Sequence, residues 1–128
     1  MGAAAPGGPI LNEAVLDGLL ELGGAAFTAE VIACFRRDTP ARLELAQGAV
    51  ARGDFAEVRR AVHALYGGAG QLGAEGFAEA AQAAEAAALR GEATAVHEHV
   101  ASLTRLGPQV MLALENWSRG RLGAAPAP

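Results

Sequence analysis

The chain contains no lysine, and all ten of its basic residues are arginine. It has a single cysteine, Cys34, which cannot form an internal disulfide, and no recognisable signal peptide. These absences predict a reducing, cytoplasmic setting. Because Cys34 lies in an apolar pattern with Val31, Ile32 and Phe35, we expect a buried thiol that serves packing.

A cluster of basic residues is also absent. The formal net charge is −4, whereas nucleic-acid binding depends on many positively charged contacts to phosphates. No apolar stretch approaches the roughly 20 residues that span a bilayer. We therefore expect neither a nucleic acid nor a membrane as a partner.

The sequence has few aromatic residues and no long runs of valine, isoleucine and threonine, so it carries no strand signal. Hydrophobic residues make up 52% of the 128 positions, and alanine is the commonest of them. A chain of this length supports one core. The composition is typical of a single all-α domain whose helices pack closely through small side chains.

Patterns that would mark an independent enzyme are missing. The sequence has no nucleotide loop of the G-x-x-x-x-G-K type, no paired carboxylates for magnesium, and no serine or cysteine poised next to a base. His97 and His99, two residues apart, point in roughly opposed directions on a helix, unlike the i, i+4 pair of a helical zinc site. We therefore expect no cofactor, no bound metal and no enzymatic activity of the chain alone.

Glycine and proline residues divide the chain into helical segments, since glycine often ends a helix and proline interrupts one. Asp54, with Glu57 three residues later, forms a capping pair at the start of one segment. The predicted helices span about 10–22, 25–52, 54–72 and 75–90, and a further one runs from 92. Thr39-Pro40 should kink or split the second helix, and Gly107-Pro108 should be followed by a last short helix or a kinked continuation.

The four longer segments are joined by short connections, and each carries an apolar stripe. An antiparallel up-and-down four-helix bundle is the economical way to bury such stripes. The short first helix is then additional and should cap one end of the bundle. Outside this domain, residues 10–119, the terminal segments 1–9 and 120–128 contain little to bury and are predicted as disordered tails.

His63 lies in the predicted third helix beside a run of glycines. Apolar residues recur in this helix at spacings of three and four from Phe55 to Leu72, which marks one buried stripe. At about 100° per residue, His63 falls outside the stripe and shares its side of the helix with Gly67 and Gly70. Glycine weakens a helix by roughly 1 kcal/mol relative to alanine, so glycines away from the packing face indicate that a ligand, a phosphoryl group or another protein approaches His63.

His63 is followed by Leu65, by Gly67 and by a small-residue run that ends in Leu72-Gly73-Ala74. This order resembles the signature of histidine-containing phosphotransfer (HPt) domains, commonly H-x-L-K-G followed by small residues and L-G. The likeness covers roughly residues 10–115. Beyond the motif it rests on Phe77, Ala81, Ala84, Glu85 and Arg90-Gly91 downstream, and on Phe35, Leu43, Leu45 and Gly53-Asp54-Phe55 upstream.

The resemblance implies a function in a two-component phosphorelay. His63 would accept a phosphoryl group from the aspartate of a receiver domain, in a hybrid sensor kinase or a response regulator, and pass it to another receiver. The partner would supply the aspartate and the magnesium, and the chain would act as a carrier and, like many family members, as a monomer. The alanine-rich, lysine-free composition favours a bacterial genome of high GC content.

The chain departs from the family at Tyr66, where lysine is usual, and at Gly68, where serine or alanine is usual. This changes how a phosphoryl group would be held. Arg59 and Arg60 lie one turn before His63 on nearly the same side, and guanidinium groups neutralise phosphate oxygens well. They are candidate substitutes for the lysine, together with Tyr66.

Three further positions complete the predicted site. Glu85 stands where the family commonly has a glutamine or glutamate facing the histidine, and its carboxylate could accept the second ring N–H of His63. Gly67, Gly70 and Gln71 are expected to shape the surface on which a partner docks.

Two alternatives remain. Without the lysine, the module could bind receivers but transfer phosphate poorly, and then act as a competitor or a sink. Otherwise, the chain could be a helical dimerisation or interaction module. That alternative predicts an exposed apolar helix stripe elsewhere and a function indifferent to replacement of His63 by glutamine.

Overall fold

Four helices lie between residues 13 and 121 of the computed structural model, which describes residues 9–123. No strand occurs within that range. The predicted N-terminal tail lies outside the described residues except for Pro9, and the last helix extends to Arg121, inside the segment predicted as the C-terminal tail. The helices are α1 (Glu13–Arg52), α2 (Phe55–Gln71), α3 (Glu75–Leu89) and α4 (Ala93–Arg121).

The connections between the helices are short, which makes consecutive helices antiparallel. α1 packs against both α2 and α4, and α3 packs against both α2 and α4, so the four helices close a ring around one core. The predicted up-and-down four-helix bundle is therefore confirmed. The predicted stops at Gly53, Gly73 and Gly91 are also present: each has a positive φ, at 69°, 78° and 70°.

The additional N-terminal helix is present as the first part of α1. Gly24 has a non-helical backbone (φ 87°, ψ 171°), which separates residues 13–23 from the long helix that follows. The short segment caps the end of the bundle. The Asn12 N–H donates to the Gly73 carbonyl at 2.8 Å, and Trp117 Nε1 on α4 donates to Asp17 at 3.2 Å.

Of the alternatives predicted at Thr39-Pro40 and Gly107-Pro108, a kinked helix or a divided one, the division is wrong, because α1 and α4 each continue through the proline. A proline inside a helix removes one backbone hydrogen bond and normally bends the helix. Here both prolines lie on the exposed side, whereas Thr39 and Gly107 are buried in the bundle. A Cβ on Gly107 would lie 2.9 Å from Leu43 of α1, so the two helices are in close contact there. Packing between α1 and α4 thus outweighs the tendency of the two prolines to end a helix.

The expectation that no segment is long and apolar enough to cross a membrane is also wrong. By length and composition α1 meets that test, with a mean hydropathy of 1.5 over 18 residues, of which 17% are buried. Helices from the core of a soluble bundle pass the same test. Moreover, Gly24 breaks α1 within its apolar part, and Asp17 and Arg121 form an ion pair at 3.2 Å beside it.

The core depends on a few large side chains set among alanines. Phe35 of α1 meets Phe77 of α3 edge to face, with ring centroids 6.1 Å apart. α3 contributes mainly small residues, which let α2 and α4 approach it closely. Its buried residues are Phe77, Ala78, Ala81, Ala84, Ala87 and Ala88.

The turn between α2 and α3 provides a test of the capping segment. An alanine at a left-handed position costs about 1–2 kcal/mol, and both Gly53 and Gly73 occupy such positions. A Cβ at Gly53 has no neighbour within 4 Å, but at Gly73 it would lie 2.5 Å from the Asn12 carbonyl oxygen. We expect Gly73→Ala to lower the free energy of unfolding by about 3 kcal/mol and Gly53→Ala by about 1–2 kcal/mol, measured by urea denaturation. Equal losses would contradict the docking of residues 10–23 on this turn.

Candidate functional site

His63 lies near the middle of α2 and points into solvent. The packing face of this helix is buried. The His63 side chain is 70% exposed to solvent, whereas Val62 and Ala69 on the packing face are fully buried. The helix begins at Asp54, whose carboxylate accepts the Glu57 backbone N–H at 3.1 Å, as the capping pair predicts. The register of α2 therefore fixes an exposed imidazole.

The four glycines that follow His63 in and just after α2 differ in what surrounds them. A Cβ added to Gly67 or Gly70 would meet nothing within 4 Å, so these two residues leave bare helix surface next to the imidazole. A Cβ on Gly68 would lie 3.2 Å from the Phe35 ring of α1, so this glycine serves helix packing. Gly73 serves the turn, with a φ of 78°. Of these four glycines, only Gly67 and Gly70 have neither a close neighbour nor a positive φ that would require glycine.

Glu85 of α3 reaches the imidazole of His63. Its two carboxylate oxygens lie 3.1 and 3.2 Å from Nδ1. A carboxylate accepts but does not donate a hydrogen bond, so this network assigns the proton to Nδ1 and leaves the lone pair on Nε2. Glu85 keeps 29% of its side-chain exposure, less than half that of His63. Glu85 is thus the less exposed member of the pair, and Nε2 is the ring nitrogen left without a proton.

The two arginines before His63 differ in their contacts. Arg60 donates to Glu57 at 2.6 Å, and this hydrogen bond raises the pKa of the Arg60 guanidinium above its ordinary value. The contact draws Arg60 toward the start of α2, because Glu57 lies six residues before His63, or about 9 Å along the helix. Arg59 is exposed and has no ion pair among the described residues.

Tyr66 and Gln71 are both exposed, on either side of the bare glycine surface. Tyr66 retains 37% of its exposure. Gln71 lines a groove of 280 Å³ between α1 and α2, together with Gly68. This groove runs along the side of α2 next to the histidine face.

The α1 wall of this groove could not be predicted from the sequence. It includes Cys34, Asp38 and Arg42. The expected burial of Cys34 is wrong, since the residue is only partly buried. No local motif marks these positions, because the face of α1 that lies beside α2 is determined by tertiary packing.

The other two histidines lie away from His63, on α4. His97 is exposed, and His99 is partly buried in a groove between α3 and α4. Across residues 9–123, no group of three or more histidine, cysteine, aspartate or glutamate side chains is arranged to hold a metal ion.

Comparisons with known proteins bear on the family and on the fold. The family model described as "Hpt domain" matches residues 30–118. Among solved structures, the chain is similar to the crystal structure of histidine-containing phosphotransfer protein B (HptB) from Pseudomonas aeruginosa PAO1, with a TM-score of 0.81 and 24% identity. The match covers 88% of this chain and 96% of that one, and shows the shared fold. A search of curated proteins finds no match.

The division of the glycines can be tested by stability measurements. Alanine is better than glycine in a helix by about 0.5–1 kcal/mol, and open space surrounds Gly67 and Gly70. We expect Gly67→Ala and Gly70→Ala each to raise the free energy of unfolding by that amount in urea denaturation. Gly68→Ala is the matched control and should give no gain, because its Cβ crowds Phe35. Equal gains at all three positions would contradict this division.

Proposed function

The chain belongs to the Hpt domain family, and on that premise we propose that His63 carries the phosphoryl group between receiver domains of a phosphorelay. Histidine phosphotransfer is the activity of this family. The observation that carries the assignment to His63 is its imidazole, exposed beside the two bare glycine positions Gly67 and Gly70 and hydrogen-bonded through Nδ1 to Glu85. We propose that the carrier works as a monomer.

The geometry favours attack by Nε2. A neutral imidazole is nucleophilic near pH 7, and no base is needed when one ring nitrogen is already unprotonated. The lone pair of Nε2 attacks the phosphorus of a partner's aspartyl phosphate, the N–P bond forms, and the bond from phosphorus to the aspartate oxygen breaks. Glu85 orients the ring for this step by accepting the Nδ1–H.

The partner completes the site. Phosphoryl transfer needs neutralisation of charge on the phosphoryl oxygens and an in-line approach. We propose that a receiver domain, in a hybrid sensor kinase or a response regulator, supplies the aspartate and its magnesium ion. Members of this family are carriers rather than enzymes with a nucleotide site, and we assign the same role to this chain.

The docking surface is proposed to centre on the bare helix surface at Gly67 and Gly70. Because these two residues have no side chains, they allow a partner's backbone and phosphoryl group to approach Nε2 closely. Gln71 borders this surface and offers an amide to the partner. Arg59, which is unpaired among the described residues, is better placed than Arg60 to contact phosphoryl oxygens, since Arg60 is bound to Glu57.

Tyr66 favours a second candidate function. It replaces the lysine usual in the family, and a phenol carries no charge to offset a dianionic phosphoryl group. The chain would then bind receivers without efficient transfer and act as a competitor or a sink. The two functions predict the same docking surface but different labelling.

His63→Gln tests the main proposal. We expect a phosphorylated receiver domain, with magnesium, to transfer acid-labile and base-stable label to the wild-type chain, and at least 100-fold less to His63→Gln, because glutamine has no nucleophilic nitrogen. His97→Gln, which removes an exposed histidine from α4, is the matched control and should label like the wild type.

The outcomes separate the candidate functions. Label on the wild type and on His97→Gln alone supports a relay through His63. If neither the wild type nor His63→Gln is labelled while both bind the receiver equally well, the relay proposal fails in favour of a binding module.

Substitutions at Tyr66 test how the phosphoryl group is held. Residues three apart on a helix are neighbours, so a lysine at this position would bring an ammonium close to the phosphoryl group. We expect Tyr66→Lys to raise the transfer rate by about 2- to 5-fold, within the range of an exposed charge pair. Tyr66→Phe should lower it by a similar factor if the hydroxyl donates to a phosphoryl oxygen. Unchanged rates in both variants, measured by rapid quench, would exclude Tyr66 from the site.

A further inference from the structure

We propose that the Glu85 carboxylate favours protonation of phosphorylated His63 on Nδ1, so that more of the carrier gives up its phosphoryl group from an imidazolium ring. This inference rests on the proposed function, since it concerns His63 after phosphorylation. It gives Glu85 a second role as a positioning residue: its charge sets how readily the carrier gives up the phosphoryl group.

The positions of the atoms support this role. Both Glu85 oxygens lie within 3.2 Å of Nδ1. Once Nε2 is bonded to phosphorus, a neutral ring has a lone pair on Nδ1, and this lone pair would face the carboxylate with no proton between them. A protonated ring restores the N–H···O hydrogen bond and places a positive charge next to a negative one, so the carboxylate favours the charged form.

The transfer steps then require no proton movement. On acceptance, Nε2 uses its lone pair to bond phosphorus, the aspartate oxygen leaves with its electron pair, and the ring becomes cationic with Nδ1–H retained. On donation, a second aspartate bonds phosphorus, the N–P electron pair returns to Nε2, and the ring leaves as neutral imidazole. If Nδ1 had lost its proton, the leaving group would be imidazolate, a far stronger base and a poorer leaving group.

The other groups around the ring do not replace this charge. From α2, Arg59 and Arg60 carry positive charge, which opposes an imidazolium, and Tyr66 is neutral. From α3, Glu85 is the only ionisable group in contact with the imidazole, and within the described residues α1 and α4 provide no hydrogen bond or ion pair to it. The favourable charge therefore comes from Glu85. Because His63 keeps 70% of its exposure, water screens the pair, and the effect of the charge is modest.

The test compares the wild type with Glu85→Gln, which keeps the size and the hydrogen-bonding oxygen but removes the charge. Phosphoramidate, a small phosphoryl donor, phosphorylates His63 without a receiver, in a background with His97→Gln and His99→Gln. The ring pKa of phosphohistidine is read from the ³¹P chemical shift between pH 5 and 9. Glu79→Gln is the matched control, because Glu79 is an exposed carboxylate of α3 beside the groove that faces α4.

We expect Glu85→Gln to lower the phosphohistidine pKa by about half a unit to one unit, and Glu79→Gln to leave it unchanged. Hydrolysis of the phosphorylated chain should follow the protonated fraction. At pH 8 the wild type should lose phosphate about 3- to 10-fold faster than Glu85→Gln, the same factor that the pKa shift implies. At pH 5.5, where both rings are protonated, the rates should converge. A merely structural role of Glu85 does not produce this pH dependence.

Two outcomes overturn the inference. If the wild type and Glu85→Gln titrate at the same pH, the carboxylate does not control the ring. If Glu79→Gln shifts the titration as much as Glu85→Gln, the effect belongs to the net charge and not to the contact. Failure of the proposed function is distinct, because it is read from the transfer assay with a phosphorylated receiver, in which the wild type would stay unlabelled, whereas phosphoramidate labels the exposed His63 without a receiver.

Discussion

The close approach of α2 to α3 is the constraint on which the site depends. α3 buries alanines against its neighbours, among them Ala81 and Ala84, and the distance between two packed helices is determined by the side chains at their contact. A glutamate spans only a short distance from its helix. Its carboxylate reaches His63 at 3.1 Å because small residues hold the two helices together. Larger residues at these positions would separate Glu85 from the imidazole while leaving both side chains in place.

The features of α2 could be predicted from sequence because they are local. Spacings of three and four identify the buried stripe, and the same periodicity places His63, Gly67 and Gly70 on the exposed face. The capping contact of Asp54 with the Glu57 N–H also follows from residues three apart. The structure assigns Gly68 to packing against Phe35, a contact between two helices that periodicity alone cannot identify.

Features that depend on contacts distant in sequence were predicted less well. α1 and α4 each continue through a proline, at Pro40 and Pro108, and beside these prolines Gly107 of α4 packs closely against Leu43 of α1. Cys34 is only partly buried, since its apolar neighbours in sequence do not show which face of α1 meets α2. Arg60 shares a helix face with His63, yet it turns back to Glu57. In each case the competing contact, rather than the local pattern, decides the outcome.

The exposure of the proposed site fits a carrier that must serve two partners with one surface. A buried histidine would gain electrostatic strength from a low dielectric, but it would admit only a partner shaped to reach it. Gly67 and Gly70 present no side chains that could favour one partner's shape over another's. Their cost is helix stability, of the order of 1 kcal/mol each. The cost is tolerated because the buried face of α2, with Val58, Val62 and Leu65, keeps the helix in place. Stability and access are thus assigned to opposite faces of the same helix.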